Sequence, residues 1–204
     1  AGVWGEWGKP GTCEWCRADY AEATCRDSLY AAAFGGLAQA SALCALFGLV
    51  DPHEAFAAAN NASVAALKLD SNLAVAFTAQ GMVALFGHQD FLSAQRSFRS
   101  AIRLDSTRYE PWLYQTWAYV GRGLLDSAIF SIRRAYQIDP VEPIVTARLS
   151  QALLLRGDAA EARVRVNDLP GRDPLTLLGH PPRPEWYPPP GRPPARPSPQ
   201  PRPP

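Results

Sequence analysis

Residues 133–140 read RRAYQIDP, and residues 99–106, 34 positions upstream, read RSAIRLDS. Arg99, Ala101, Leu104 and Asp105 fall on Arg133, Ala135, Ile138 and Asp139. Residues 64–71, VAALKLDS, stand 35 positions earlier again and repeat Ala66, Leu69, Asp70 and Ser71. Further back, AEATCRDS at 21–28 keeps Ala23, Asp27 and Ser28 across a longer interval of 43 residues. Self-similarity near 34 residues marks a repeat array, in which each unit is one supersecondary motif stacked on its neighbours.

The interior of a unit says which motif is repeated. After Asp105, the apolar residues Trp112, Leu113, Trp117 and Val120 follow a helical spacing that stops at Gly121-Arg122-Gly123. A second helical stretch is expected to start at Asp126 as N-cap and to run through Ala128, Ile129, Ile132, Ala135 and Tyr136. The preceding unit has the same plan: Leu73 to Phe86, a turn at Gly87-His88-Gln89-Asp90, then Phe91, Ala94, Phe98 and Ala101. The following one runs from Pro143 to Arg156, turns at Gly157-Asp158 and continues from Ala159 to about Val166. Each unit is therefore helix, turn, helix, and the expected fold is all-α.

This pattern resembles the tetratricopeptide repeat (TPR). Its signature of aromatic, small, aromatic, then Ala, large apolar, Ala and Pro is met by Trp112, Thr116, Tyr119, Ala128, Ile132, Ala135 and Pro140. One unit earlier the same places hold Phe77, Gly81, Ala84, Ala94, Phe98, Ala101 and Ser106, so Thr116 and Ser106 are the departures. The resemblance implies a TPR-type α-solenoid of antiparallel helix pairs. Its expected units lie at about 14–27 (partial), 28–70, 73–105, 109–139 and 143–167, after a short extension at 1–13 and before a Pro-rich tail at 171–204.

The unit from 28 to 70 is longer than the others. Gly48 ends its first helix, and Asp51-Pro52-His53-Glu54 supplies an N-cap, a proline at the first helical position and a capping-box glutamate. A lengthened unit followed by this repeat pattern is similar to the TPR arrays of bacterial winged-helix regulators, serine/threonine kinases and adenylate cyclases. That likeness implies a sensory or interaction portion whose effector domain lies N-terminal to it.

Composition excludes several functional classes. The chain has 204 residues, is 47% apolar and carries a net charge of +1. Setting aside Arg183, Arg192, Arg196, Arg202 and Glu185 in the tail leaves the body near −2. Direct nucleic-acid binding, which needs a basic excess, is not expected. The first residue is Ala1, which fits a processed or partial chain, and no charged segment with an apolar core precedes the repeats, so no signal peptide is expected. A cytoplasmic location is expected, or a periplasmic one if the array is the sensory part of a membrane-anchored regulator. Of the 20 prolines, 13 lie in the last 24 residues, so the tail is expected to be extended and without packed structure.

The stretch from Ser28 to Val50 has no charged residue and is long enough to span a bilayer. Its alanines, glycines, Gln39 and Ser41 make it small more than greasy, and the repeat register makes it the first helix of a unit. A buried helix is expected there. Cys13, Cys16, Cys25 and Cys44 raise the alternatives of a zinc site or a Cys13–Cys16 thiol pair. Cys16, however, occupies the place of Ala94 and Ala128, where a small apolar side chain packs, so a packing role is preferred and no metal or cofactor is expected. No GxSxG, Walker loop, GxGxxG or HExxH occurs, and His53, His88 and His180 are scattered, so an enzyme is not expected.

What remains is binding. In TPR arrays the first helices line a concave face that takes a peptide or partner helix. By register that face here is expected to present Thr78, Met82, Leu113, Trp117, Ala147, Arg148 and Gln151. Arrays that clamp a chaperone's C-terminal carboxylate carry lysine and asparagine at these places, so that ligand is not expected. The expected function is a non-catalytic interaction or scaffolding module whose partner is a protein, a peptide or a second copy of the chain. The alternative is the sensory domain of a one-component regulator that responds to a small ligand or to thiol state.

Overall fold

The computed structural model describes residues 12–167, with side chains placed over 15–165. In chain order the helices are α1 (Thr12–Arg26), α2 (Ala31–Leu46), α3 (Pro52–Leu69), α4 (Ala74–Met82), α5 (Phe91–Leu104), α6 (Tyr109–Gly121), α7 (Leu125–Ile138), α8 (Pro143–Arg156) and α9 (Ala159–Asn167). Among the described residues there is no strand. The tail expected from 171 onward lies outside the described residues.

The helices pack in sequence. α2 lies against α3, α4 against α5, α6 against α7 and α8 against α9, while α5–α6 and α7–α8 contacts join successive pairs. The first helices α2, α4 and α6 also touch in order, which makes a solenoid of helical hairpins with α1 packed on its first full pair. The charge-free stretch is α2, whose Ala33, Ala38, Ala40, Ala42 and Cys44 are buried against its neighbours. Among the described residues, no helix is long and apolar enough to cross a membrane.

The repeated aspartate has a direct physical role. Asp27, Asp70, Asp105 and Asp139 each end or follow a second helix, and the Oδ1 of each accepts a bond from the backbone N–H two residues on, at Leu29, Asn72, Thr107 and Val141. The backbone N–H of each also closes the helix by donating to the carbonyl of Ala23, Ala66, Ala101 or Ala135, at 2.8–3.0 Å. One residue type thus stops the helix and turns the chain towards the next first helix. At Asp105 the hydroxyl of Thr107, and then its backbone N–H, hold the carboxyl below its ordinary pKa.

The opposite turns need a left-handed residue. Gly48, Gly123 and Gly157 supply it at φ 64°, 73° and 100°, but in the 73–105 unit Gln89 does so at φ 55°. A side chain costs about 1 kcal/mol in that conformation. Gln89→Gly is therefore expected to raise stability by about 0.5–1 kcal/mol, read as an upward shift in thermal melting, and an unchanged or lowered midpoint would contradict the strain.

Three helix ends refine the expectations. Asp51 caps α3 as foreseen, accepting from the N–H groups of His53 and Glu54 at 2.9 and 3.0 Å. Asp126 does not cap α7: the N-cap is Leu124, and Asp126 lies in the first turn. Its carboxylate there favours the helix dipole and lies 3.6 Å from Arg156 of α8. The helix begun by α4 ends in a π-helical turn, Val83–Gly87, that the sequence pattern did not indicate.

Candidate functional site

The face formed by first helices α4, α6 and α8 is where a partner was expected. Thr78 is buried and donates its hydroxyl to the carbonyl of Ala74 at 2.9 Å. Met82 is fully buried in the central core with Leu85, Phe98 and Tyr114. Leu113 is buried in the C-terminal core with Ile129, Ile132 and Leu149, and Ala147 is covered as well. The reason is architectural. A first helix is covered by its own partner and by the units before and after it, leaving a narrow strip exposed. These four side chains form the wall beneath the face and do not present themselves on it.

Trp117, Arg148 and Gln151 come together above that wall. Trp117 and Gln151 are half-buried, and only 5% of Arg148 is accessible. The Arg148 guanidinium lies over the Trp117 ring, 4.7 Å from its centroid, and donates to the Gln151 side-chain oxygen at 2.9 Å. A cation stacked on indole and fixed by an amide is a preorganised pair. Thr116, Trp117 and Val120 of α6 face Arg148, Gln151, Ala152 and Leu155 of α8 across a crevice of about 10 Å³. That volume leaves no room for a small molecule, so this strip offers a surface.

A polar cluster underlies the strip. Tyr114 is 2% exposed, and its phenol is held well above its ordinary pKa by burial first, then by the neighbouring Tyr109, Glu110 and Glu142, against an opposing effect of Arg148. Tyr114 therefore stays a neutral phenol, with its ring stacked on Phe98 at 6.2 Å.

The thiols separate. Cys16 is half-buried and free, Cys25 is exposed and free, and Cys44 is buried and disulfide-bonded. The packing role preferred for the cysteines, argued from the register of Cys16, does not extend to Cys44, which is in a disulfide. The side chain of Cys13 lies outside the described residues. Among the described residues, no group of three or more His, Cys, Asp or Glu side chains is placed to hold a metal ion.

Two further grooves among the described residues lie away from the expected face. One, of about 400 Å³, lies between α3 and the π-helical turn, where His53, Phe56, Asn60 and Asn61 face Phe86 and His88. The other, of about 570 Å³, lies on a different face of α6, where Arg96, Arg99 and Arg103 of α5 meet Trp112 and Tyr119 of α6 and Phe130 of α7. The available signal was the 3- and 4-residue spacing of those arginines, which places them on one side of α5 away from Ala94, Phe98 and Ala101.

No protein-family model matches the chain. No curated protein matches it either. Solved structures do. A thermophilic TPR protein of Thermus thermophilus, TTC0263, is 18% identical with a TM-score of 0.64, over 82% of this chain and 88% of that one. MamA (41-end) from Desulfovibrio magneticus RS-1 is 17% identical with a TM-score of 0.56, over 82% and 86%. YrrB, described as a TPR protein with an unusual peptide-binding site, is 17% identical with a TM-score of 0.51, over 81% and 77%. Paired helices in sequential contact, aspartate-closed second helices and these likenesses agree that the chain has the fold of a tetratricopeptide-repeat protein.

Proposed function

We propose that the chain is a non-catalytic interaction module that binds a peptide or partner helix along its first-helix face. The observation that carries this reading is the Trp117–Arg148–Gln151 cluster, in which a buried cation holds a half-buried aromatic in one geometry between α6 and α8. Tryptophan and arginine dominate the energetics of protein interfaces, and a prefixed pair loses little entropy on binding. The small volume of the adjoining crevice favours a chain segment lying over the strip. One solved protein of the same fold is described as having a peptide-binding site, which supports the same class of ligand here. A setting in a bacterial signalling or regulatory protein, with self-association as a second mode, is the context in which this module fits.

The test is selection of peptides from a displayed library on the full chain, followed by affinity measurements on the peptides recovered. Trp117→Ala is expected to weaken them about tenfold, roughly 1.4 kcal/mol, with helical circular dichroism and melting close to wild type. Gln151→Ala, which leaves the aromatic in place, should weaken them less. Equal affinity in the Trp117 variant would sink the assignment, and collapse of its fold would make Trp117 a core residue.

A further inference from the structure

The groove on the other face of α6 is independent of the strip just described. Its rim is cationic. Arg96, Arg99 and Arg103 project along one side of α5, and Arg134 of α7 lies over the Trp112 ring at 5.7 Å. Three of these charges, Arg99, Arg103 and Arg134, are not neutralised where they stand. Arg103 donates to the Ser100 hydroxyl and Arg134 to the Gln137 amide oxygen, both uncharged acceptors. Among the described residues, Arg99, Arg103 and Arg134 make no ion pair, whereas Arg96 is bonded to the Ser93 hydroxyl and its charge also acts on the nearby Asp90 carboxylate. The neighbouring Arg133 shows the alternative, because it is paired with Glu161 at 2.8 Å.

Its floor and far wall are aromatic. Trp112 and Phe130 meet edge to face at 6.3 Å, and Phe130 is 62% exposed, unusual for so large an apolar side chain on an otherwise polar helix face. Tyr119 continues the aromatic surface, and the indole N–H of Trp112 has no acceptor among the described residues. Arginine, tryptophan and tyrosine are the residues that concentrate binding energy at protein interfaces. A volume of about 570 Å³ falls within the range of grooves that hold side-chain-sized groups.

We propose that this α5–α6–α7 groove is a second docking site, which takes an acidic peptide segment of a partner protein anchored by an aromatic or large aliphatic side chain. Carboxylates of the segment would pair with Arg99, Arg103 and Arg134, and its anchor would lie against Trp112 and Phe130. Charge decides between occupants. The chain's own tail, 171–204, carries Arg172, Arg183, Arg192, Arg196 and Arg202 against Asp173 and Glu185, so it meets the groove with like charge. A single-stranded nucleic acid would supply anions and stacking bases, but it binds along an extended basic track, and here the cations are gathered around one groove on a body near −2. An acidic segment fits both the confined cations and the apolar floor.

The experiment measures fluorescence anisotropy of the full chain with a labelled EDDFWDDE peptide. Four comparison ligands are run beside it: the same peptide with Ser-Ser for Phe-Trp, the same peptide with amides for its carboxylates, an oligothymidylate of equal charge, and the unlabelled 171–204 tail as competitor. The expected result is salt-sensitive binding of the acidic aromatic peptide, weakened at least fivefold by removing either its aromatics or its charges. Arg99→Glu with Arg103→Glu should lower affinity at least tenfold and Phe130→Ala at least threefold. These positions are exposed, so the fold should hold, which circular dichroism checks. Trp117→Ala, on the first-helix strip, should leave this affinity unchanged, so failure here and failure of the first-helix reading are distinguishable. Absence of binding, indifference to the arginine reversals, tighter binding of oligothymidylate, or displacement of the peptide by the tail would each overturn the proposal.

Discussion

Phe98→Ala is expected to lower the stability of the folded chain by about 3–5 kcal/mol. Among the described residues Phe98 is the largest side chain that is fully buried, and it sits in the main core with Met82, Leu85 and Ala94. Its ring stacks on Tyr114 of the next unit at 6.2 Å, so it joins α5 both to its own partner α4 and to α6. Truncation removes the transfer free energy of the ring and leaves a cavity that three rigid helices cannot close, and both terms act in the same direction. In a repeat array stability is approximately a sum of unit and interface terms, and this residue contributes to both. The effect is read from urea unfolding followed by circular dichroism, with the midpoint moving at constant slope. A loss under about 1 kcal/mol would show that the core repacks around the gap, and would contradict the close α4–α5–α6 packing described above.

That Phe98 mattered was legible because it recurs in register with alanines three and four residues away, a pattern set by one helix pair alone. The Asp at the end of each second helix was visible for the same reason, and its task as an Asx turn follows once the backbone N–H two residues on is seen to point at it. Properties that depend on several elements were not legible in this way. Met82 and Leu113 have the spacing of an exposed strip on α4 and α6, yet neighbouring units cover them. Asp126 has the chemistry of an N-cap, but the helix begins too early for it to act as one. The arginine groove was hidden twice. Net charge averages Arg96, Arg99, Arg103 and Arg134 with distant carboxylates, and only the stacking of α5, α6 and α7 sets them around Trp112. The disulfide at Cys44 depends on where a second thiol lies in space, which no repeat register specifies.

The same register makes a second large effect predictable. Gly81 stands on α4 opposite Phe98, and a Cβ built on it would overlap that ring. The ring has no free direction to move, because it is fully buried and stacked on Tyr114. In the next unit the same two places hold Thr116 and Ile132, both buried, with the Thr116 hydroxyl bonded to the Trp112 carbonyl at 3.0 Å. A larger residue on the first helix is thus matched by a smaller one on the second. Gly81→Thr alone is expected to destabilise by about 2–3 kcal/mol through overpacking, and its slightly better helix propensity offsets only a few tenths of a kcal/mol. Phe98→Ile alone should cost about 1–3 kcal/mol through lost volume. Made together, they rebuild the pair found one unit later, where the isoleucine vacates the space that the threonine fills. The double variant is therefore expected to be more stable than the sum of the single losses predicts by at least about 1 kcal/mol, a coupling within the range of residues in direct contact. Denaturant midpoints of the four chains in this cycle measure it. Strictly additive losses would mean that the α4–α5 approach is set by the backbone and the turn at Gln89, and that the glycine and the phenylalanine are not a matched pair.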